Sequence, residues 1–155
     1  MTHTPSAVLT PDLIPGDLSI DDRGQLAFFN QFDLANEPVR RCYLTANHRA
    51  GLVRAWHAHR REAKYVLAVS GSALVCAVKV VNWSRPRKDQ PVSRFTLSAA
   101  TPAVLAIPAG YANGWMSLTP DCRLLWFSSA TVEESRGDDV RYPARYWNPW
   151  EVVER

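Results

Sequence analysis

Two histidines one residue apart, His57 and His59, are the plainest chemical signal in this chain. They stand in "RAWHAHRREAKYVLAVSGSALV" (54–75), where polar residues give way to small and apolar ones across a Gly-Ser. In a strand alternate side chains share a face, so the two imidazoles project together. On an inward face each ring needs hydrogen-bond partners, which makes the pair costly as a mere core feature. On an outward face they are only a polar edge. Facing inward, they can begin a metal site or move protons, because histidine titrates near neutrality. Lys64 follows closely, either as a cation aimed at the same place or as a strand-end lysine reaching solvent. Arg54 lies three residues before His57, so a regular strand aims it at the opposite face. Only a bulge brings it round; otherwise it is a structural arginine.

The elements that must position these residues read as strands. "DLSIDDRGQLAFFNQF" (17–32) predicts two strands around an Asp-Arg-Gly turn. Further strands are expected within 39–47, 52–59, 63–71, 72–83, 92–98, 103–110, 113–118 and 122–130, with turn residues every ten or so. Only 130–139, "ATVEESRGDD", suits a helical turn or two. Residues 1–12 are polar and proline-containing and are expected to be loosely held. The ending "VRYPARYWNPWEVV" is too aromatic for a free tail and should pack back on the body. Its Tyr142, Tyr146, Trp147 and Trp150 can either stack on a ligand's base or seal one end of the fold or a dimer. These features predict an all-β, antiparallel fold of one domain spanning 1–155, and a double-sheet jelly roll in particular.

Composition excludes several classes. No apolar stretch approaches the ~20 residues of a membrane span, and the start "MTHTPSAVLTPD" carries no secretory pattern. Cys42, Cys76 and Cys122 sit far apart among apolar neighbours, as buried free thiols of a reducing compartment do. A cytoplasmic protein is expected. The net charge of +3 does not imply a nucleic-acid partner, and "SRPRKD" (84–89) reads as a solvated hairpin loop rather than a phosphate patch. Six tryptophans suggest an aromatic-lined pocket or a large interface.

The spacing resembles that of the cupins, small jelly rolls (double-stranded β-helices) with two motifs. The first is Gly, five residues, His-x-His, three or four residues, Glu, six residues, Gly; the second is Pro-x-Gly-x-x-His. Here Gly51 precedes His57-Ala-His59 and Gly71 follows, but the glutamate position falls on Lys64 or Ala63, Glu62 being too early. The second motif reads "PAGYAN" (108–113), with Asn113 in place of the histidine. An ammonium beside a metal ion is electrostatically wrong, and a carboxamide is a weak substitute for imidazole. The pair is therefore expected to move protons, with no metal and no cofactor.

Among metal-free cupins the chain is similar to the dTDP-4-dehydrorhamnose 3,5-epimerase family and to the related dTDP-4-keto-6-deoxyhexose 3,4-ketoisomerases. The first carries "R-G-L-H", matched by Arg54-Ala55-Trp56-His57, a following lysine matched by Lys64, a "D-x-R-G" turn matched by "DDRG", and "P-x-G-x-A-H-G" matched by "PAGYANG" (108–114). The second carries "R-G-x-H-A-H-K", closer to "RAWHAHR" (54–60). The likeness covers 17–150. It implies a nucleotide-sugar substrate, dTDP-linked, and a homodimer with exchanged N-terminal strands, in which Arg23 binds the diphosphate, in the neighbour's pocket where the strands cross. The family's acid tyrosine falls on Trp126 or Phe127, neither of which can protonate a carbon.

That resemblance implies an epimerase or isomerase of deoxysugar and polysaccharide biosynthesis. A base removes a proton beside the 4-ketone, and a cation stabilises the resulting enolate oxygen. His57 is the expected base and Lys64 the expected cation, with His59, Tyr111 or Tyr43 handling the second transfer. Arg54, Asn113, Trp126 and Arg145 complete the candidate substrate-binding set. Two alternatives stand beside this: a weakly catalytic or non-catalytic cupin that binds a sugar nucleotide, and a metal-dependent cupin using His57 and His59.

Overall fold

The computed structural model describes residues 9–155. Strand β1 (Asp12–Pro15) leads into a hairpin of β2 (Asp17–Asp21) and β3 (Gly24–Phe28). After a loop come β4 (Arg41–Ala46), β5 (Val53–Ala58), β6 (Lys64–Ser70) and β7 (Ser72–Lys79). Then follow β8 (Ser93–Ser98), β9 (Ala103–Ile107), β10 (Tyr111–Ser117) and β11 (Arg123–Ser128). A short helix α1 (Val132–Arg136) and a two-residue strand β12 (Val140–Arg141) precede the irregular tail. Of the 1–12 segment expected to be loose, residues 1–8 lie outside the described residues, and Asp12 already pairs with Ala106. No helix among the described residues is long and apolar enough to cross a membrane.

The strands form two five-stranded antiparallel sheets, ordered β1-β9-β6-β11-β4 and β12-β5-β10-β7-β8, plus the separate β2-β3 ribbon. This corrects the jelly-roll expectation. Both sheets are open, and no strand pair joins an edge of one to an edge of the other. The edges explain why: β12 is two residues long, and β1 is four residues ending in Pro15, which has no N–H to donate. Such edges stop a ladder without closing it.

Strand sequences look apolar rather than alternating because several strands are covered on both faces. In β7, Ala73, Val75 and Ala77 enter the core between the sheets, while Leu74, Cys76 and Val78 enter a second core outside. In β6, Val66 and Ala68 face the first core, and Tyr65 and Leu67 meet Phe32 of the 29–39 segment. Cys76 and Cys122 are buried free thiols, but Cys42 is exposed because it points outward from the edge strand β4.

The aromatic tail is the lid of the second core, and each of its polar handles is used. Trp56 Nε1 donates to the carbonyls of Ala144 and Trp147 at 3.1 and 3.0 Å. Tyr142, Tyr146 and Trp147 donate to the carbonyls of Trp83, Pro86 and Arg87. The tail thus straps the outer face of the second sheet and pins the 83–87 loop to it. Its aromatics seal the fold; none of them lines the site cavity.

Candidate functional site

Strand β5 forms one wall of the site, and its ladder with β10 is irregular. Asn113 pairs with His57 and Trp115 with Arg54, so two steps along β10 match three along β5. The extra residue is a β-bulge, and it brings Arg54 onto the cavity side with His57. Trp56 meanwhile faces outward into the second core. Gly114 makes room for the bulge: a Cβ there would lie 2.4 Å from the Ala55 Cβ.

The open end of the sandwich holds a cavity of about 290 Å³ lined by His57, His59, Lys64, Arg54, Asn113, Tyr43 and Trp126. The structure therefore brings together seven of the ten residues singled out from sequence. Three lie elsewhere. Arg23 is exposed in the β2–β3 turn and paired with Asp21. Tyr111 is buried in the inter-sheet core, its hydroxyl 3.5 Å from the carbonyl of Leu9. Arg145 lies on the tail and donates to Asn148.

Sequence reasoning missed Arg41, Glu62, Arg136, Asp139 and Arg141. Arg41 shares the alternation of Tyr43 on β4, a signal available but unused. Glu62 falls outside the ligand spacing, yet the turn after β5 folds it back against His59. Asp138 fixes that turn by accepting the backbone N–H groups of Arg60 and Arg61 at 3.1 and 2.8 Å. Asp139 and Arg141 arrive from the far end of the chain, where Thr131 and Glu134 cap α1 reciprocally. Arg141 then pairs with His57 across β12 and β5.

Five cationic side chains line the cavity (Arg41, Arg54, Lys64, Arg136 and Arg141) against one carboxylate, Asp139. Such an excess, in a half-enclosed space, suits a polyanion. Behind it lies Glu62, almost wholly buried, accepting from Ser128 at 2.6 Å and Arg41 at 3.1 Å, with Lys64 Nζ at 3.9 Å. Burial works against its charge, but Lys64 and the hydroxyls of Ser128 and Ser135 hold its carboxyl below the usual range. Lys64 itself is buried, and desolvation lowers its pKa despite Glu62. Tyr43, over which Arg41 stacks at 5.1 Å, is pushed up to about 12 by burial and by Glu62. It stays protonated at neutral pH. Trp126 stacks parallel to Tyr43 and donates to Thr45, so its indole N–H is occupied. No cluster of three or more His, Cys, Asp or Glu side chains able to hold a metal ion occurs among the described residues.

Burial first, then Lys64 and Arg141, lower the pKa of His57 to about 4. The ring is therefore neutral at pH 7, with its lone pair available, and is a weaker base than an ordinary imidazole. The unfolded chain takes up this proton near 6.5, so His57 costs the fold stability as pH falls from about 6.5 to about 4. An NMR pH titration of the ligand-free protein should show the His57 ring still neutral at pH 5. A midpoint near 6.5 would contradict this electrostatic description.

A family model described as dTDP-4-dehydrorhamnose 3,5-epimerase matches residues 13–146. No curated protein matches the sequence. Among solved structures, the rmlC epimerase of Mycobacterium tuberculosis is 21% identical with a TM-score of 0.67, over 91% of this chain and 72% of that one. The 3'-monoepimerase ChmJ of Streptomyces bikiniensis, in complex with dTDP-quinovose, is 21% identical with a TM-score of 0.71, over 90% and 72%. The sugar 3,4-ketoisomerase QdtA of Thermoanaerobacterium thermosaccharolyticum, in complex with TDP, is 18% identical with a TM-score of 0.64, over 90% and 93%. At these identities the likeness is one of fold.

Proposed function

Because the chain belongs to the dTDP-4-dehydrorhamnose 3,5-epimerase family, we propose that it isomerises a dTDP-linked 4-keto sugar by moving protons between His57, His59 and the substrate. The observation that carries this reading is the convergence of both histidines and Lys64 on one cavity that four arginines also line. The arginines suit the diphosphate, and Tyr43 and Trp126 offer flat faces to the sugar or base. His57, neutral and beside the cavity, takes the proton next to the ketone. Charge then grows on the 4-oxygen, where the Lys64 ammonium is worth most because it is itself buried. His59 carries the second transfer, since Trp126 cannot, Tyr111 is too remote, and burial together with Glu62 leaves the Tyr43 hydroxyl a poor donor.

A second copy completes the picture. The β2–β3 ribbon joins neither sheet, and Ile20 and Leu26 on it are 70% and 64% exposed. Both features support exchange of this segment with a partner, which would carry Arg23 towards the partner's cavity. Trp126 favours the competing reading, a protein that binds a sugar nucleotide without turnover.

Incubation of the protein with dTDP-4-keto-6-deoxyglucose in heavy water separates the two readings. Deuterium should enter at C3 and, for 3,5-epimerisation, also at C5. A ketone shift to C3 marks the isomerase instead. Binding of the nucleotide sugar with no deuterium at C3, C4 or C5 and no ketone shift would leave only the non-catalytic reading.

A further inference from the structure

Two buried atoms in this protein face each other without a hydrogen bond. His59 Nδ1 and Glu62 Oε2 lie 3.1 Å apart, their side chains 4% and 1% exposed, and neither has another partner. The other oxygen of Glu62 is already engaged by Ser128 and Arg41. Two lone pairs at that distance in a dry setting would repel, and an orphaned polar atom there costs about 1–3 kcal/mol. A proton on Nδ1 turns the repulsion into a charge-assisted bond after a small rotation of the ring. The opposite nitrogen, Nε2, points to the cavity side, 4.0 Å from Asp139.

We propose that Glu62 is the positioning residue of His59, fixing the tautomer that carries its proton on Nδ1 and leaves Nε2 unprotonated towards the substrate. The proposal rests on the reading that His59 performs the second proton transfer of a ketone shift from C4 to C3. In that step Nε2 accepts a proton from the substrate hydroxyl, forming an imidazolium with both nitrogens protonated. The same proton then leaves Nε2 for C4, which restores the neutral ring, while the proton that His57 took from C3 passes to the 4-oxygen. Glu62 touches no substrate atom. It holds the ring and offsets its transient charge, while its ties to Arg41 and Lys64 keep it ionised and unable to donate.

Glu62→Gln tests this through the tautomer itself. The amide oxygen of glutamine can take over the bonds from Ser128 and Arg41, which turns its NH₂ group towards His59. Nδ1 must then become an acceptor, and the ring proton moves to Nε2, the wrong side for accepting another. Nitrogen-15 NMR of the histidine rings should show His59 protonated on Nδ1 in the wild type and on Nε2 in the variant. Turnover should fall ~10²–10⁴-fold, as expected when a base is lost or its tautomer inverted, with KM little changed. An Nε2-protonated His59 in the wild type would overturn the proposal, even if the variant failed to fold. So would an unchanged tautomer in a folded variant, or turnover within threefold of wild type. If the wild type itself moves no protons, the proposed function fails while the ring spectra still decide the role of Glu62.

Discussion

His57→Asn is expected to stop carbon-proton exchange while leaving nucleotide-sugar binding in place. A lost general base alone costs ~10²–10⁴-fold, and the amide fills much of the imidazole's space. The backbone tie across the strands survives, because Asn113 Nδ2 donates to the carbonyl of His57, 3.1 Å away, and not to its ring. The cationic wall also survives, so binding measured by calorimetry should change little. His59→Asn is the companion experiment. With the second carrier gone, substrate protons should still wash out into heavy water, but little product should form. Unchanged exchange in His57→Asn would remove the assignment of the base, and unchanged turnover in both variants would favour a binding protein.

The parts of this site that sequence revealed are those governed by strand alternation. His57 and His59 share a face because they are two residues apart on β5, and Lys64 opens the next strand beside them. Arg54 shows the limit. Alternation alone sends it outward, and the bulge that reverses this depends on Gly114 in a strand sixty residues later. Glu62 was hidden for a related reason: a ligand-spacing rule assumes a regular path after the histidines, whereas Asp138 bends the turn. Asp139 and Arg141 reach the cavity only through tertiary placement of α1 and β12, which no local pattern encodes. Sheet closure was misjudged because short apolar strands with regular turns suit open sandwiches as well as closed rolls.

Trp147→Ala should be among the most damaging single truncations for stability. The side chain is 2% exposed and meets Trp56, Tyr142 and Tyr146 edge-on at 5.4, 5.3 and 4.9 Å. Its Nε1 donates to the carbonyl of Arg87 at 2.9 Å. Truncation leaves a cavity among three aromatic rings and orphans that carbonyl, for a cost of ~3–5 kcal/mol. Domains of this kind have only about 5–15 kcal/mol to lose. The denaturation midpoint should fall by ~6–20 °C, read by a thermal melt. Trp56 belongs to the same cluster and to the strand that carries His57, so activity should fade well below the melting temperature of the wild type. A loss under 1 kcal/mol would mean that the tail lies on the sheet without holding it.

In evolutionary terms the bulge in β5, the side chain at 55 and the glycine opposite are expected to change together. A relative one residue shorter between positions 54 and 57 keeps its arginine and histidine on the cavity side by ordinary alternation. In such a chain the backbone opposite Gly114 no longer crowds it, and that position is open to alanine or serine. A relative that keeps both the extra residue and a side chain at 55 remains bound to glycine, because a Cβ at 114 would collide with that side chain and crowd Trp150. Comparison of insertions at 55 with residue choice at 114 therefore sorts relatives by how this wall is built, independently of the histidines they share.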